Sequence, residues 1–183
     1  MTVPGKTPTD AELIDAINAG DSEAFTDLYH RYRDWVLNLA WRFTGHRDDA
    51  LDVLQETFAY LAGKFPEFVL TARMTTFLYP AVRHLSIAAN KKRRRSTGAA
   101  VTDDVLMTDE ATSETDRDEL TIALASLSDA HREILLMRFV DNMTQPEIAA
   151  ALDIPVGTVK SRLHHAIECL KRLPQIEEFL SDE

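Results

Sequence analysis

The sequence predicts an all-α protein made of two small helical domains joined by a flexible acidic linker. Almost every apolar segment repeats its hydrophobic residues at intervals of three or four, and no segment sustains the alternation of a strand. Residues 96–116 are instead rich in Ser, Thr, Ala and acids and show little periodicity, as is typical of a linker. We therefore place the domains at residues 9–95 and 117–175.

The size and composition are those of a globular protein. With 183 residues, 45% of them hydrophobic and 27% charged, the chain suits two small domains with modest cores. No apolar run approaches the ~20 residues that cross a bilayer, so we expect no membrane insertion. The N-terminus lacks the pattern of a secretory signal, and the single cysteine, Cys169, cannot form an internal disulfide. We expect a cytoplasmic protein.

The first two helices have their ends marked in the sequence. Thr9 and Glu12 make a capping box that opens the first helix, and Gly20 closes it. A longer helix follows from near Asp21 to Gly45. Its predicted core stripe is Phe25, Leu28, Tyr32, Trp35, Leu39 and Phe43.

Two further helices complete the N-terminal domain. The third is predicted over residues 47–62, with one apolar face and several acids on the others. The apolar face comprises Leu51, Leu54, Phe58 and Leu61. The fourth runs from about Thr75 to Arg94, and a later start is favoured because Pro80 would kink a helix that began earlier.

The C-terminal domain is predicted to start with a pair of short helices. The first carries Leu120, Ala123, Leu124 and Leu127 on one face. Ser128 is expected to cap the second. The predicted core residues of that second helix are Ile134, Leu135 and Phe139.

The domain is predicted to end in a helix-turn-helix. Thr144 and Glu147 make a second capping box, which starts a short helix through Leu152. Residues 153–155 form the turn, and a long helix runs over residues 156–173. Ala149 and Ala150 would allow close packing of the helices. The predicted core of the motif is Ile148, Leu152, Ile154, Val159 and Leu163.

This packing leaves a polar face on the last helix. The face comprises Gly157, Thr158, Lys160, Ser161, His164 and His165. A helix held in this way fits the major groove of DNA, about 12 Å wide, with its N-terminal residues against base edges. A plain helical hairpin within a bundle is the alternative, and a histidine here could equally be a solvated residue.

Charge is distributed unevenly along the chain. The formal net charge of -10 argues against nucleic-acid binding, since the phosphates of nucleic acid are negatively charged and bind positively charged groups. Yet residues 71–95 hold seven Lys and Arg and no acid, whereas residues 96–119 hold eight acids and one arginine. The basic block could bind a nucleic-acid backbone, cap a helix dipole, or pair with the acidic linker.

Catalytic chemistry is not indicated, so we predict that the protein is not an enzyme. The sequence contains no glycine-rich phosphate loop and no nucleophile elbow. Cys169 follows His165 by four residues, but no further cysteine or suitable acid completes a metal site. We expect no catalytic residue, no metal and no cofactor.

The C-terminal motif resembles a known family. The stretch LSDAHREILLMRFVDNMTQPEIAAALDIPVGTVKSRLHHAIECLKRL is similar to the C-terminal domain of extracytoplasmic-function sigma factors, which reads the minus-thirty-five promoter element. The resemblance implies base-facing roles for Lys160, Ser161, His164 and His165, and phosphate contacts for Thr158 and Arg162. The family usually has Arg at the position of His165, so the promoter element that this helix favours is expected to differ.

The N-terminal half resembles the same family. DDALDVLQETFAYL is similar to the helix that docks on the clamp helices of RNA polymerase, which implies polymerase contacts for Asp49, Asp52, Gln55 and Glu56. TTFLYPAVRHLSIAANKKRRR is similar to the next family helix, which helps to melt and capture the minus-ten element. The basic groove for that strand would be formed by Arg83, Lys91, Lys92, Arg93 and Arg94.

The resemblance implies a sigma factor that directs core RNA polymerase to specific promoters. The implied partners are the clamp helices and flap of core polymerase, promoter DNA in duplex and melted form, and an anti-sigma factor. The alternative is a helix-turn-helix regulator that binds duplex DNA without being a polymerase subunit. A regulator would need a ligand pocket, a receiver domain or a dimer helix where this chain has an acidic helix followed by a basic one.

Overall fold

The computed structural model describes residues 7–97 and 121–171. The chain divides into two compact units, Met1–Val101 and Thr102–Glu183. Every regular element of the described residues is a helix, which confirms the predicted all-α class. The predicted linker lies outside the described residues from residue 98 onward. So do residues 117–120, which include the predicted apolar residue Leu120, and residues 172–175 of the predicted C-terminal domain. The domain limits therefore stay predictions.

The N-terminal unit contains four helices: α1 (Asp10–Asn18), α2 (Ser22–Thr44), α3 (Arg47–Ala62) and α4 (Met74–Thr97). α2, α3 and α4 pack on one another, and α1 packs against α2. The capping box predicted at Thr9 is formed, and Gly45 ends α2 in the left-handed conformation.

The predicted core stripe of α2 was partly wrong. Leu28 and Leu39 are fully buried, as expected, but the four aromatic residues of the stripe are only half-buried. Val36 and Ala40 are buried in their place. Because α2 packs against α3 and α4 at once, its central positions take small or compact side chains, and the large rings lie at the edges of the interface.

Two details of α3 and α4 also differ from the prediction. Leu51 is 37% exposed, because the buried face of α3 follows Ala50, Val53 and Thr57 rather than Leu51. α4 begins at Met74, one residue before the predicted start near Thr75, and Phe77 donates its N–H to the Arg73 carbonyl at 3.1 Å. Pro80 therefore lies in the second turn of the helix.

The C-terminal unit contains α5 (121–125), α6 (Asp129–Phe139), α7 (Gln145–Leu152) and α8 (Val156–Lys171). α8 packs against both α6 and α7. Leu124, Leu127, Leu135 and Ala166 form a buried cluster. Ser128 is the N-cap residue of α6, as predicted, but its side chain makes no capping hydrogen bond.

The prediction that Phe139 belongs to the core was wrong. Phe139 lies at the end of α6 and is 57% exposed. The chain reverses at Asn142, whose φ of 52° is left-handed, and the Met143 N–H then donates to the Met137 carbonyl at 3.0 Å. Met137 and Met143 are both fully buried. A methionine from the turn thus fills the core position that was expected for Phe139.

Candidate nucleic-acid and protein interfaces

The helix-turn-helix is held rigidly by local hydrogen bonds. Thr144 donates its N–H to Glu147 Oε2 at 2.7 Å, and the Glu147 N–H returns to Thr144 Oγ1 at 3.4 Å. Asp153 ends α7 in the left-handed conformation, and the Ile154 N–H reaches the Ala149 carbonyl at 3.0 Å. Because the turn has little freedom, α8 is presented at a fixed angle to α7.

Packing selects which face of α8 meets solvent. Val159, Leu163 and Ala166 are buried against the other helices. Ala149 is buried as predicted, but Ala150 is exposed, and Ala151 takes its expected place at the helix contact. Leu152 and Ile154 are half-buried.

The residues predicted to contact the minus-thirty-five element lie mostly on the exposed face. Lys160, Ser161, His164 and His165 are all exposed. Thr158 and Arg162 are half-buried at the edges of that face, as suits side chains that would reach the DNA backbone. The Ser161 hydroxyl donates to the Thr158 carbonyl at 3.0 Å.

Histidine rings gather at the side of this face. The His164 and His165 ring centroids are 5.8 Å apart, and His131 of α6 lies 6.2 Å from His165. No group of three or more metal-binding side chains with suitable geometry occurs in residues 7–97 or 121–171. The rings therefore present polar surface and carry no evident metal-binding arrangement within that part of the chain.

The basic residues of α4 fall on two faces. Lys91 and Arg94 lie three residues apart and are exposed, while Arg83 is half-buried two turns earlier. Lys92 and Arg93 instead line a groove between α4 and α3. One predicted DNA surface is thus divided between the outer side of α4 and the side that faces α3.

Arg93 ties α4 to the junction of α2 and α3. Its guanidinium donates to the Thr44 carbonyl at 3.2 Å, and its Nε lies 3.1 Å from Asp49 Oδ2. One turn earlier, the Asn90 amide donates to the Phe43 carbonyl at 2.8 Å. These bonds satisfy carbonyls at the C-terminal end of α2, where a helix leaves acceptors without intrahelical partners.

The acids predicted to contact polymerase form one wall of the groove. Asp49, Asp52 and Glu56 line it, whereas Gln55 is exposed outside it. Asp49 is the most covered of the four, and His46 Nδ1 lies 3.9 Å from its Oδ2. The floor consists of Val53, Leu85, Ala88 and Ala89, and the groove has a volume of about 330 Å³.

The structure of the loop between α3 and α4 was not predicted from the sequence. Asn18 at the end of α1 donates to the Phe68 carbonyl at 2.9 Å and accepts the Phe68 N–H at 3.2 Å. Phe68 also packs on Phe77, with ring centroids 4.8 Å apart, and Tyr60 stacks on the same Phe77 at 6.1 Å. Phe77 is therefore a packing residue, and the loop is anchored by an asparagine fifty positions away in sequence.

Each unit contains a segment that matches a protein-family model, and both models describe regions of sigma-70. Residues 28–96 match the family described as Sigma-70 region 2, and residues 123–172 match Sigma-70, region 4. The first match covers the acidic helix and the basic helix together. It therefore argues against the regulator alternative, which left that half of the chain unexplained.

Curated relatives match over most of the chain. The ECF RNA polymerase sigma factor SigL of Mycobacterium tuberculosis is 32% identical over 160 residues, which cover 84% of this chain and 90% of that protein. SigW of Bacillus subtilis, also an ECF RNA polymerase sigma factor, is 27% identical over 87% of this chain and 93% of its own length.

Solved structures share the fold. The sigma factor RpoE from Bartonella quintana, in complex with the anti-sigma factor NepR, superimposes with a TM-score of 0.67 at 22% identity, covering 84% of this chain and 98% of that one. CnrH, in complex with the cytosolic domain of CnrY, gives 0.66 at 22% identity over 88% and 94%. No helix of the residues described in this structure is long and apolar enough to span a membrane. With both sigma-70 regions matched and a relative above 30% identity over most of its length, the chain belongs to the ECF sigma factors of the sigma-70 family of RNA polymerase subunits.

Proposed function

We propose that this chain directs core RNA polymerase to its promoters through three separate surfaces. The exposed face of α8 reads the minus-thirty-five element, the outer side of α4 holds the melted minus-ten strand, and α3 docks on the clamp helices of polymerase. The observation that carries the proposal is the exposure of Lys160, Ser161, His164 and His165 together on one side of α8, the helix that follows the capped helix α7 and its turn.

The chemistry of each surface supports its assignment. Side-chain donors on α8 suit base edges and phosphates in a major groove. On α4, the cations Lys91, Arg94 and Arg83 suit a single-stranded backbone. Carboxylates on α3 repel DNA but attract basic residues of a protein partner, so they favour the polymerase assignment.

The protein then works by binding, without catalysing a reaction, and its site of action is the cytoplasm. Control by an anti-sigma factor is part of the proposal. Such a partner would act by covering both DNA-facing surfaces, on α4 and on α8, since both are needed for promoter-directed transcription. The flap of polymerase is the proposed contact of the C-terminal unit.

A pair of charge reversals on the N-terminal unit tests the polymerase surface. Asp52→Lys changes an exposed acid of the α3 wall, and Asp27→Lys changes an exposed acid of α2 outside it. We expect Asp52→Lys to weaken binding to core polymerase about tenfold or more, as measured by fluorescence polarisation, because it places a cation against a basic partner. Equal affinities of the two variants would remove α3 from the polymerase interface.

A further inference from the structure

The groove between α3 and α4 has walls of opposite charge. Asp49, Asp52 and Glu56 line the α3 side, and Lys92 and Arg93 line the α4 side. The floor between them is made of small or aliphatic side chains. Both helices form this site, because α3 supplies its acidic wall and α4 supplies its basic wall.

Nucleic acid fits this groove poorly. A phosphate backbone placed along Lys92 would lie across from three carboxylates, and like charges at such close range disfavour binding. Arg93 is moreover held within the protein itself, by an ion pair with Asp49 at 3.1 Å and a hydrogen bond to the Thr44 carbonyl at 3.2 Å. The two cations that line the groove are therefore poorly placed for DNA, unlike Lys91 on the outer side of the helix.

The shape favours a helix as the occupant. Two helices packed side by side leave a groove between them, in which the side chains of a third helix can lie. Ala88 and Ala89 make the α4 part of the floor, and their small side chains leave room for a partner backbone. A volume of about 330 Å³ accommodates a few side chains from such a helix.

We propose that this groove, with Lys92 as one of its walls, is the seat of a polymerase helix that presents basic residues toward α3, an acidic residue toward Lys92 and compact apolar residues between them. The inference rests on the proposed polymerase docking and deepens it. It moves Lys92 from the DNA surface to the protein interface and adds the floor residues of α4 to that interface.

Two neighbouring lysines provide the test. Lys92 lines the groove and Lys91 does not, although both are exposed cations on the same turn of α4. We expect Lys92→Glu to weaken binding of the full-length protein to core polymerase by about tenfold, and Lys91→Glu to change it by less than about twofold. Lys92→Gln removes the charge without adding repulsion to the acidic wall, and we expect an intermediate loss.

A second pair of variants tests the floor of the groove. Ala88→Gln fills it at an exposed position of α4, and Ala11→Gln adds the same side chain at an exposed position of α1. We expect only Ala88→Gln to weaken polymerase binding, with unchanged thermal unfolding of both proteins. Because both sites are exposed, neither change threatens the core.

The outcomes separate this inference from the proposed function. If the unaltered protein fails to bind core polymerase, the polymerase assignment itself falls, and the groove proposal falls with it. If the unaltered protein binds and the Lys92 and Ala88 variants bind equally well, only the groove proposal is overturned. If those variants bind polymerase normally but their holoenzymes lose single-stranded minus-ten DNA, the groove is a DNA site and the proposal is likewise overturned.

Discussion

Arg93 Nε lies 3.1 Å from Asp49 Oδ2, so a residue predicted to hold DNA is paired with a residue predicted to hold polymerase. The pair joins the last turns of α4 to the first turn of α3, while Arg93 also donates to the carbonyl of Thr44 at the end of α2. Three helix ends therefore meet at one guanidinium. This arrangement gives Arg93 a structural role beyond any contact with a partner.

Replacing Arg93 should lower the stability of the N-terminal unit. We expect Arg93→Gln to reduce the free energy of unfolding by about 1 kcal/mol, a modest value because the side chain is 42% exposed. Both tryptophans, Trp35 and Trp41, belong to α2, so urea unfolding followed by tryptophan fluorescence reports on this unit. Lys91→Gln is the matched control. Equal unfolding midpoints for the two variants would contradict the structural role.

The alkaline stability of the N-terminal unit should depend on Tyr32. Burial raises the pKa of the Tyr32 phenol above its ordinary value of 10.0, and the hydrogen bond that its hydroxyl donates to Asp10 raises it further. Above pH 10 the unfolded phenol therefore loses its proton first, so this contribution to stability is complete below pH 10 and declines as the pH rises beyond it. Tyr32→Phe should be less stable by about 1 kcal/mol at neutral pH.

The pH profile distinguishes Tyr32 from the other three tyrosines. Stability measured by tryptophan fluorescence between pH 9 and pH 11 should fall less steeply in Tyr32→Phe than in the unaltered protein. Parallel curves would show that the phenol does not ionise differently in the folded and unfolded chains.

Arg132 should stabilise the pairing of α5 with α6. Its guanidinium donates to the carbonyls of Leu124 at 2.8 Å and Leu127 at 3.1 Å, and the side chain is 15% exposed. Arg132→Gln should cost about 1–3 kcal/mol, because two partly buried carbonyls lose their charged donors. Hydrogen exchange of the amides in residues 121–127 should then accelerate. Arg138→Gln is the control, since its bond to the Met143 carbonyl is long at 3.4 Å.

Lys160 should contribute more to specificity than to general DNA affinity. We expect Lys160→Ala to cost about 1–3 kcal/mol in binding to a selected minus-thirty-five duplex, and much less in binding to a scrambled one. Competition binding with both duplexes at one fixed salt concentration measures the difference. Lys171→Ala, at the far end of α8 and 3.2 Å from Glu168, should leave the ratio unchanged. An equal loss on both duplexes would make Lys160 a phosphate contact.

Local signals predicted the helix boundaries well. The capping boxes at Thr9 and Thr144 depend on residues three positions apart, so the sequence contains the whole interaction. The glycine that ends α2 is equally local, because only a residue tolerant of a φ near 60° suits that position. Most of the exposed face of α8 followed from the spacing of the apolar residues, Val159 and Leu163 among them, although Thr158 of the predicted face is half-buried.

Contacts between residues far apart in the chain could not be predicted from the sequence. Nothing near Arg93 indicates that its partner is Asp49, 44 positions earlier, and the Asn18 contacts with Phe68 span a similar distance. The exposure of Phe139 follows from the turn at Asn142 that brings Met143 inward, which no periodicity of α6 predicts. In each case the outcome depends on a tertiary contact or a chain reversal that the periodicity of a single helix does not show.

Run-off transcription tests the central claim most directly. Purified core polymerase would be mixed with a pool of genomic promoter fragments, with and without this protein, and the transcripts would be mapped. We predict that transcripts start at a defined set of promoters only when the protein is present. Binding of the protein to duplex DNA without any polymerase binding or promoter-specific start would contradict the account and favour a regulator instead.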